Sequence, residues 1–271
     1  METYCHDEAM SPLLTPHLRV EDRDGARWLT LDRPEAFNAL TGEMVVALIE
    51  QVRDVTGRDD LRAVVLTGGP GPAFSAGADV GGEDPQERLD GSSVDAANVM
   101  IGAIVDCDKP VVCGLNGVAA GVGMSLALAC DLVVARESAS LTLGFTKVGL
   151  MPDGGASATV AASIGRAAAM RLALLSDVIG ASEALAMGLI SHVVPDEEYD
   201  ATLAKVVARL VAGPPLAHAA TKKAVNAATL DQLSDAMTRE RAGQSVLLRT
   251  ADVREGMAAF NEKRRPEFKG R

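Results

Sequence analysis

The chain is predicted to fold as an α/β body followed by a helical tail. Short apolar runs of strand length alternate with segments of helical periodicity from about residue 18 to residue 135. Glycine-rich turns separate them. Beyond Leu150 almost every segment has helical spacing. Alternating strands and helices imply a largely parallel sheet covered by helices. The 271 residues suffice for one or two domains with a buried core.

The elements follow in order. Met1 to Pro16 has neither a basic start nor an apolar stretch, so it reads as a loose arm and not as a secretory signal. Two strands, Leu18–Asp22 and Arg27–Asp32, join at Asp24-Gly25. A helix runs over Thr41–Val55, with Thr41 as cap and Met44, Val45, Leu48, Val52 and Val55 at helical spacing. Arg62–Thr67 is a buried strand, and Gly68 to Pro72 is a loop. Gly81–Gly91 is acidic and reads as a mobile loop. A helix over Val94–Cys107 ends before Lys109-Pro110. Val111–Leu115 is a strand, Gly121–Cys130 a helix and Leu132–Ala135 a strand. The tail holds helices over Arg166–Leu175, Ser182–Met187, Glu197–Ala212, Pro215–Ala228, Leu230–Leu247 and Ala251–Phe260, with one strand at Ile190–Val194. The divisions expected are an arm over 1–16, an α/β core over 17–200 and a helical region over 201–271. No internal repeat is evident.

Composition narrows the function. A net charge of −11 with eight aromatic residues argues against nucleic-acid binding, because phosphates need a basic surface. No run of 18 apolar residues occurs, so no membrane span is expected. Cys5, Cys107, Cys113 and Cys130 form no C-x-x-C pair and read as reduced thiols, which suits a cytoplasmic location. The four histidines form no metal-binding or nucleophile pattern. Lys222-Lys223 and Lys263-Arg264-Arg265 read as solvated basic faces.

Three segments could carry chemistry. Gly117 to Gly123 lies between a strand and a helix but lacks the G-x-G-x-x-G order, so a dinucleotide site is disfavoured. A helix start among small residues leaves free backbone N–H groups that suit a developing negative charge. Ser75-Ala76-Gly77-Ala78-Asp79 is a second such turn. The two would form an oxyanion hole if they converge, which sequence separation does not decide. Asp153, in Met151-Pro152-Asp153-Gly154-Gly155, reads by itself as a helix N-cap.

Taken together, these segments resemble the crotonase family, also called enoyl-CoA hydratase/isomerase, from Leu18 to Gly270. The resemblance rests on Leu31-Asp32-Arg33-Pro34-Glu35-Ala36-Phe37-Asn38-Ala39-Leu40, on Phe74 to Asp79, on Lys109-Pro110-Val111-Val112, on Asn116-Gly117 through Asp131, and on Gly256 to Arg264. It implies a spiral of repeated β-β-α units with a helical C-terminal trimerisation region. It implies self-association to a trimer or a dimer of trimers. The implied ligand is an acyl-CoA thioester, with coenzyme A entering as part of the substrate and no other cofactor or metal. By position, the N–H groups of Ala78 and Val122 would hold the thioester oxygen. Ala76, Ala78, Asp79 and Val80 would flank adenine and pantetheine, and Phe37 the phosphates. Phe260 and Lys263 would reach a neighbour's CoA.

One departure matters. The two glutamates that hydratases of this family use align with Ser125 and Phe145. Neither side chain serves as an acid or base near neutral pH, whereas hydration needs one group for water and another for the proton. The stretch Phe145 to Gly155 resembles the 1,2-epoxyphenylacetyl-CoA isomerase type, and several isomerases and the 4-chlorobenzoyl-CoA dehalogenase of the family put a catalytic Asp at the position of Asp153. Phe145 and Met151 would keep that carboxylate poorly solvated. The leading expectation is an enoyl-CoA isomerase with one Asp as acid and base. The alternatives are an enoyl-CoA hydratase of fatty-acid β-oxidation and a non-catalytic acyl-CoA carrier.

Overall fold

A computed structural model of the chain describes residues 15–79 and 91–271. Val80 and the acidic loop before Gly91 lie outside the described residues, as do residues 1–14 of the expected arm. Thr15 is buried, and its carbonyl accepts the Leu18 N–H.

Strands β1 (Leu18–Arg23) and β2 (Ala26–Leu31) form an antiparallel hairpin from Leu18↔Leu31 to Arg23↔Ala26. Its turn residues, Asp24 and Gly25, both have positive φ, the geometry that Asp-Gly supplies most readily. β3 (Ala63–Thr67), β5 (Val111–Leu115), β7 (Leu132–Arg136) and β10 (His192–Val194) add in parallel, giving the order β1-β2-β3-β5-β7-β10. A second sheet has the order β4-β6-β8-β9, from Ala73–Ser75, Val118–Ala120, Ser140–Thr142 and Ile179–Gly180. After β3, β5 and β7 the chain crosses to the second sheet and then turns into helix. This is the spiral of β-β-α units that the resemblance implies, and it belongs to the backbone path without being a repeat of sequence.

The second sheet is the main element that the sequence reading lacks. Its strands are two or three residues long, too short for alternation to register. Other differences are local. The helix expected over Arg166–Leu175 is the second half of α4 (Ala156–Leu175), whose backbone breaks at Gly165 (φ 75, ψ 165). That break divides the one described helix long and apolar enough to cross a membrane, and Arg166 and Arg171 follow it. Helix α5 (Ala181–Met187) follows, and the strand expected from Ile190 begins at His192. The helix expected from Leu230 begins at Leu233, because the Leu230 N–H closes the preceding helix on the Asn226 carbonyl.

Strand alternation separates two cores. Val64, Leu66, Val111, Cys113 and Val133 face α1 (Gly42–Thr56) and α2 (Gly91–Asp106). Ala63, Val65, Val112 and Val134 face Tyr199, Leu203 and Val207 of α6 (Tyr199–Val211). Each fully buried side chain of this size contributes about 1.5–3 kcal/mol. Helix α6 therefore covers the sheet. Thr41 caps α1 by accepting the Met44 N–H (3.2 Å). Cys107, Cys113 and Cys130 are buried and free.

Helices α7 (Pro215–Thr229), α8 (Leu233–Leu247) and α9 (Ala251–Asn261) complete the chain. The solvated face expected at Lys222 is corrected here. Its Nζ sits 2.9 Å from Asp131 Oδ2 and donates to the Ile104 carbonyl (2.8 Å), while its side chain is only 7% exposed. The same Asp131 oxygen accepts the Val111 N–H at the start of β5. Burial pushes the Asp131 carboxyl up, and Lys222 opposes that shift. Lys222→Met is expected to cost about 2 kcal/mol, less than for a fully buried pair because Asp131 retains some contact with water. Urea denaturation at pH 7 measures it, and an unchanged midpoint would contradict it.

Candidate active site

The two glycine turns meet. The first follows β4 and runs through Ser75 to Asp79. Its shape is set by Asn38, whose carbonyl accepts the Ser75 hydroxyl (2.9 Å) while Ser75 Oγ accepts the Gly77 N–H (3.2 Å). Leu40 then bridges both sides of Ala78, donating to the Gly77 carbonyl and accepting from the Asp79 N–H. This turns the Ala78 N–H away from Leu40. The second turn ends at Gly121, which precedes α3 (Val122–Ala129).

Gly77 and Gly121 are where a side chain is excluded. Gly77 has φ +99, and a Cβ there would lie 2.8 Å from the Ala120 carbonyl oxygen and 3.5 Å from the Val122 nitrogen. Gly121 has φ +55, and its Cβ would lie 3.9 Å from Gly77 Cα. The two backbones are thus in contact. Among the described residues, neither the Ala78 N–H nor the Val122 N–H has an acceptor. Both residues line one cavity of about 340 Å³.

Asp153 lines the same cavity and is its one acidic residue among those described. Its side chain does not cap α4, contrary to the reading of this residue by itself. Glu240 of α8 does so: its carboxylate accepts the Gly155 N–H (2.7 Å) and the Ser157 N–H (2.8 Å). Asp153 instead accepts a hydrogen bond on Oδ2 from Gln244 Nε2 at 2.8 Å. Its Oδ1 is buried without a partner. Burial pushes the carboxyl up from an ordinary value near 3.8 to about 7; the Gln244 bond opposes this and the charge of Glu240 adds to it.

The other expected site residues divide. Phe145 and Ala76 line the cavity. Phe260, exposed on α9, lines the cavity of its own chain. Ser125 is fully buried off the wall and donates its hydroxyl to the Asp153 carbonyl (2.8 Å), so it anchors the backbone of that residue. Met151 also lies off the wall. Its side chain packs at Gly243, and its N–H donates to Gln244 Oε1 (3.2 Å). Phe145, Leu150 and Leu248 line the cavity together with Asp153. Asp79 pairs with Arg33 at 3.0 Å. Phe37 is exposed, and its carbonyl accepts the Ala76 N–H. Lys263 is exposed beyond α9. Val80 lies outside the described residues.

Sequence reasoning missed Glu240 and Gln244. A polar pair four residues apart on a helix normally marks a solvated face, yet each is 1% exposed. A larger groove of about 1090 Å³ between α2, α7 and α8 contains neither glycine turn nor Asp153. What the smaller cavity combines is a carboxyl able to carry a proton near neutral pH, two unengaged backbone donors and an apolar lining.

Comparison with known proteins accords with this arrangement. Residues 21–271 match the family model described as enoyl-CoA hydratase/isomerase. A Rhodobacter capsulatus protein described as "Probable enoyl-CoA hydratase" is 41% identical over 94% of this chain and 98% of its own. The 1,2-epoxyphenylacetyl-CoA isomerase of Escherichia coli is 37% identical over 91% of this chain and 96% of its own. A crystal structure of an enoyl-CoA hydratase from Mycobacterium avium subsp. paratuberculosis superposes with a TM-score of 0.88 at 43% identity, covering 93% of this chain and 98% of that one. A family match spanning nearly the whole chain, on the fold that the sequence implies, leads to one conclusion: the chain belongs to the enoyl-CoA hydratase/isomerase family.

Proposed function

We propose that the protein is an enoyl-CoA isomerase that moves a double bond from position 3 to position 2 of an acyl-CoA thioester. The observation that carries this reading is the single carboxyl that the described residues place on the cavity wall, Asp153, with one oxygen unengaged. Isomerisation needs only one such group. The Asp153 carboxylate takes the proton from carbon 2. The C–H electron pair forms a dienolate, and the thioester oxygen gains the charge. The Ala78 and Val122 N–H groups donate to that oxygen, and each such donor is worth about a hundredfold or more in rate. The protonated Asp153 then returns the proton to carbon 4, and the double bond settles between carbons 2 and 3. Atoms and electrons balance within the substrate.

Hydration would need a second acid or base. Ser125 and Phe145 occupy the positions where the resemblance implies glutamates, and Ser125 is committed to the Asp153 carbonyl. The test is a pair of assays on one preparation. A 3-enoyl-CoA is followed for gain of conjugation and a 2-enoyl-CoA for its loss. Conjugation of the first without hydration of the second is expected. Hydration of the second would replace this reading by a hydratase. Silence in both with binding intact would leave either a carrier or an enzyme for another acyl group.

A further inference from the structure

Asp153 is held by a helix that begins 80 residues later in the chain. The Gln244 amide makes two bonds there. Oε1 accepts the Met151 N–H at 3.2 Å, and Nε2 donates to Asp153 Oδ2 at 2.8 Å. Because a backbone N–H can only donate, the first bond decides which way the amide faces and turns its own N–H toward the carboxyl. One helical turn earlier, Glu240 accepts the Gly155 and Ser157 N–H groups. One face of α8 therefore holds alternate residues of the segment 151–157.

We propose that Gln244 is the positioning residue of Asp153: it engages Oδ2 and leaves Oδ1 as the oxygen that exchanges the proton. This rests on the reading of Asp153 as the proton carrier. A side chain 1% exposed, bonded to Asp153 and itself on the cavity wall, is costly to keep unless both of its polar ends are used. The electrostatics agree. The Gln244 bond favours the ionised carboxyl, while burial and the charge of Glu240 oppose it. Around Asp153, α8 presents Gln244 and Glu240, α3 presents Ser125, and the turn Phe145–Val148 carries Lys147. Lys147, exposed, is the cation that the described residues place on the wall of the same cavity.

The experiment compares unaltered protein, Gln244→Met and Glu240→Gln. The Asp153 carboxyl is titrated by carbon NMR of aspartate-labelled protein, assigned by its absence in Asp153→Asn. It is expected to titrate higher in Gln244→Met and lower in Glu240→Gln, opposite senses that a general loosening does not produce. With a 3-enoyl-CoA, kcat of Gln244→Met is expected to fall about ten- to a hundredfold above its titration, with KM within about twofold. Gln244→Asn, one carbon too short to reach, takes its place if the apolar variant does not fold. An unmoved titration, or wild-type kcat at high pH, overturns the proposal. If the unaltered protein does not isomerise, the reaction assignment fails and the catalytic role of Gln244 falls with it. The titrations then still decide whether Gln244 governs the carboxyl.

Discussion

Replacing Asp153 by Asn is expected to lower turnover of a 3-enoyl-CoA by about a thousandfold or more, while its binding changes by no more than about threefold. Asn nearly matches the shape of Asp and can still meet Gln244, but its amide cannot take the proton from carbon 2. A positioned acid–base group contributes about 10²–10⁴ in rate. In the unaltered protein, kcat/KM should rise with pH through about 7, where the carboxyl ionises. Stopped assays across pH 5.5–9, with isothermal titration of a non-reactive acyl-CoA, would check both. Retained turnover would remove Asp153 from the mechanism.

The same variant carries a signature in stability. A carboxyl raised from near 3.8 to about 7 on folding leaves the folded state holding a proton that the unfolded state releases. The stability that this proton supplies is full below about pH 4 and is lost as pH rises to about 7. Asp153→Asn has no such loss. Its melting temperature relative to the unaltered protein should therefore climb between pH 4 and pH 8, with a ceiling of about 4 kcal/mol for the whole interval. A flat difference would mean that the carboxyl is not buried as described.

The second large effect is expected at Gly77→Ala. The residue has φ +99, a conformation that side-chain-bearing residues rarely adopt, and the new methyl would lie 2.8 Å from the Ala120 carbonyl oxygen. Strain of this kind costs about 1–3 kcal/mol. Relief requires the two turns to separate, which moves the Ala78 and Val122 N–H groups apart. Loss of a single donor of this type costs about 10²–10³ in kcat. The expected result is a kcat lowered by at least that factor in a protein that melts several degrees earlier. If kcat is retained, the two N–H groups do not act together on the thioester.

Much of the fold could be read because its period is long enough to repeat. Met44, Leu48, Val52 and Val55 declare a helix over four turns, and the alternation in Ala63 to Leu66 divides the two cores. The second sheet could not be read that way, since each of its strands ends before a pattern forms. The site shows the same division. Its glycine turns and Asp153 lie in short contiguous stretches, so residue type and order pointed to them. Their convergence is a property of the second sheet, through the pairing of β4 with β6. Gln244, Glu240 and Lys222 look like surface polar residues on helices. Only packing against partners that lie roughly 90 residues away in the chain distinguishes them from solvated ones.

The dependence of Asp153 on α8 bears on synthesis of the chain. By the time Leu175 has been made, both glycine turns, the carboxyl and most of the cavity wall exist. Glu240 and Gln244 do not. Until α8 docks, the start of α4 lacks its cap and Asp153 lacks its anchor. On the proposed role of Asp153, competence arrives only with α8, and a fragment cut short before residue 233 would contain the carboxyl without the bonds that hold it.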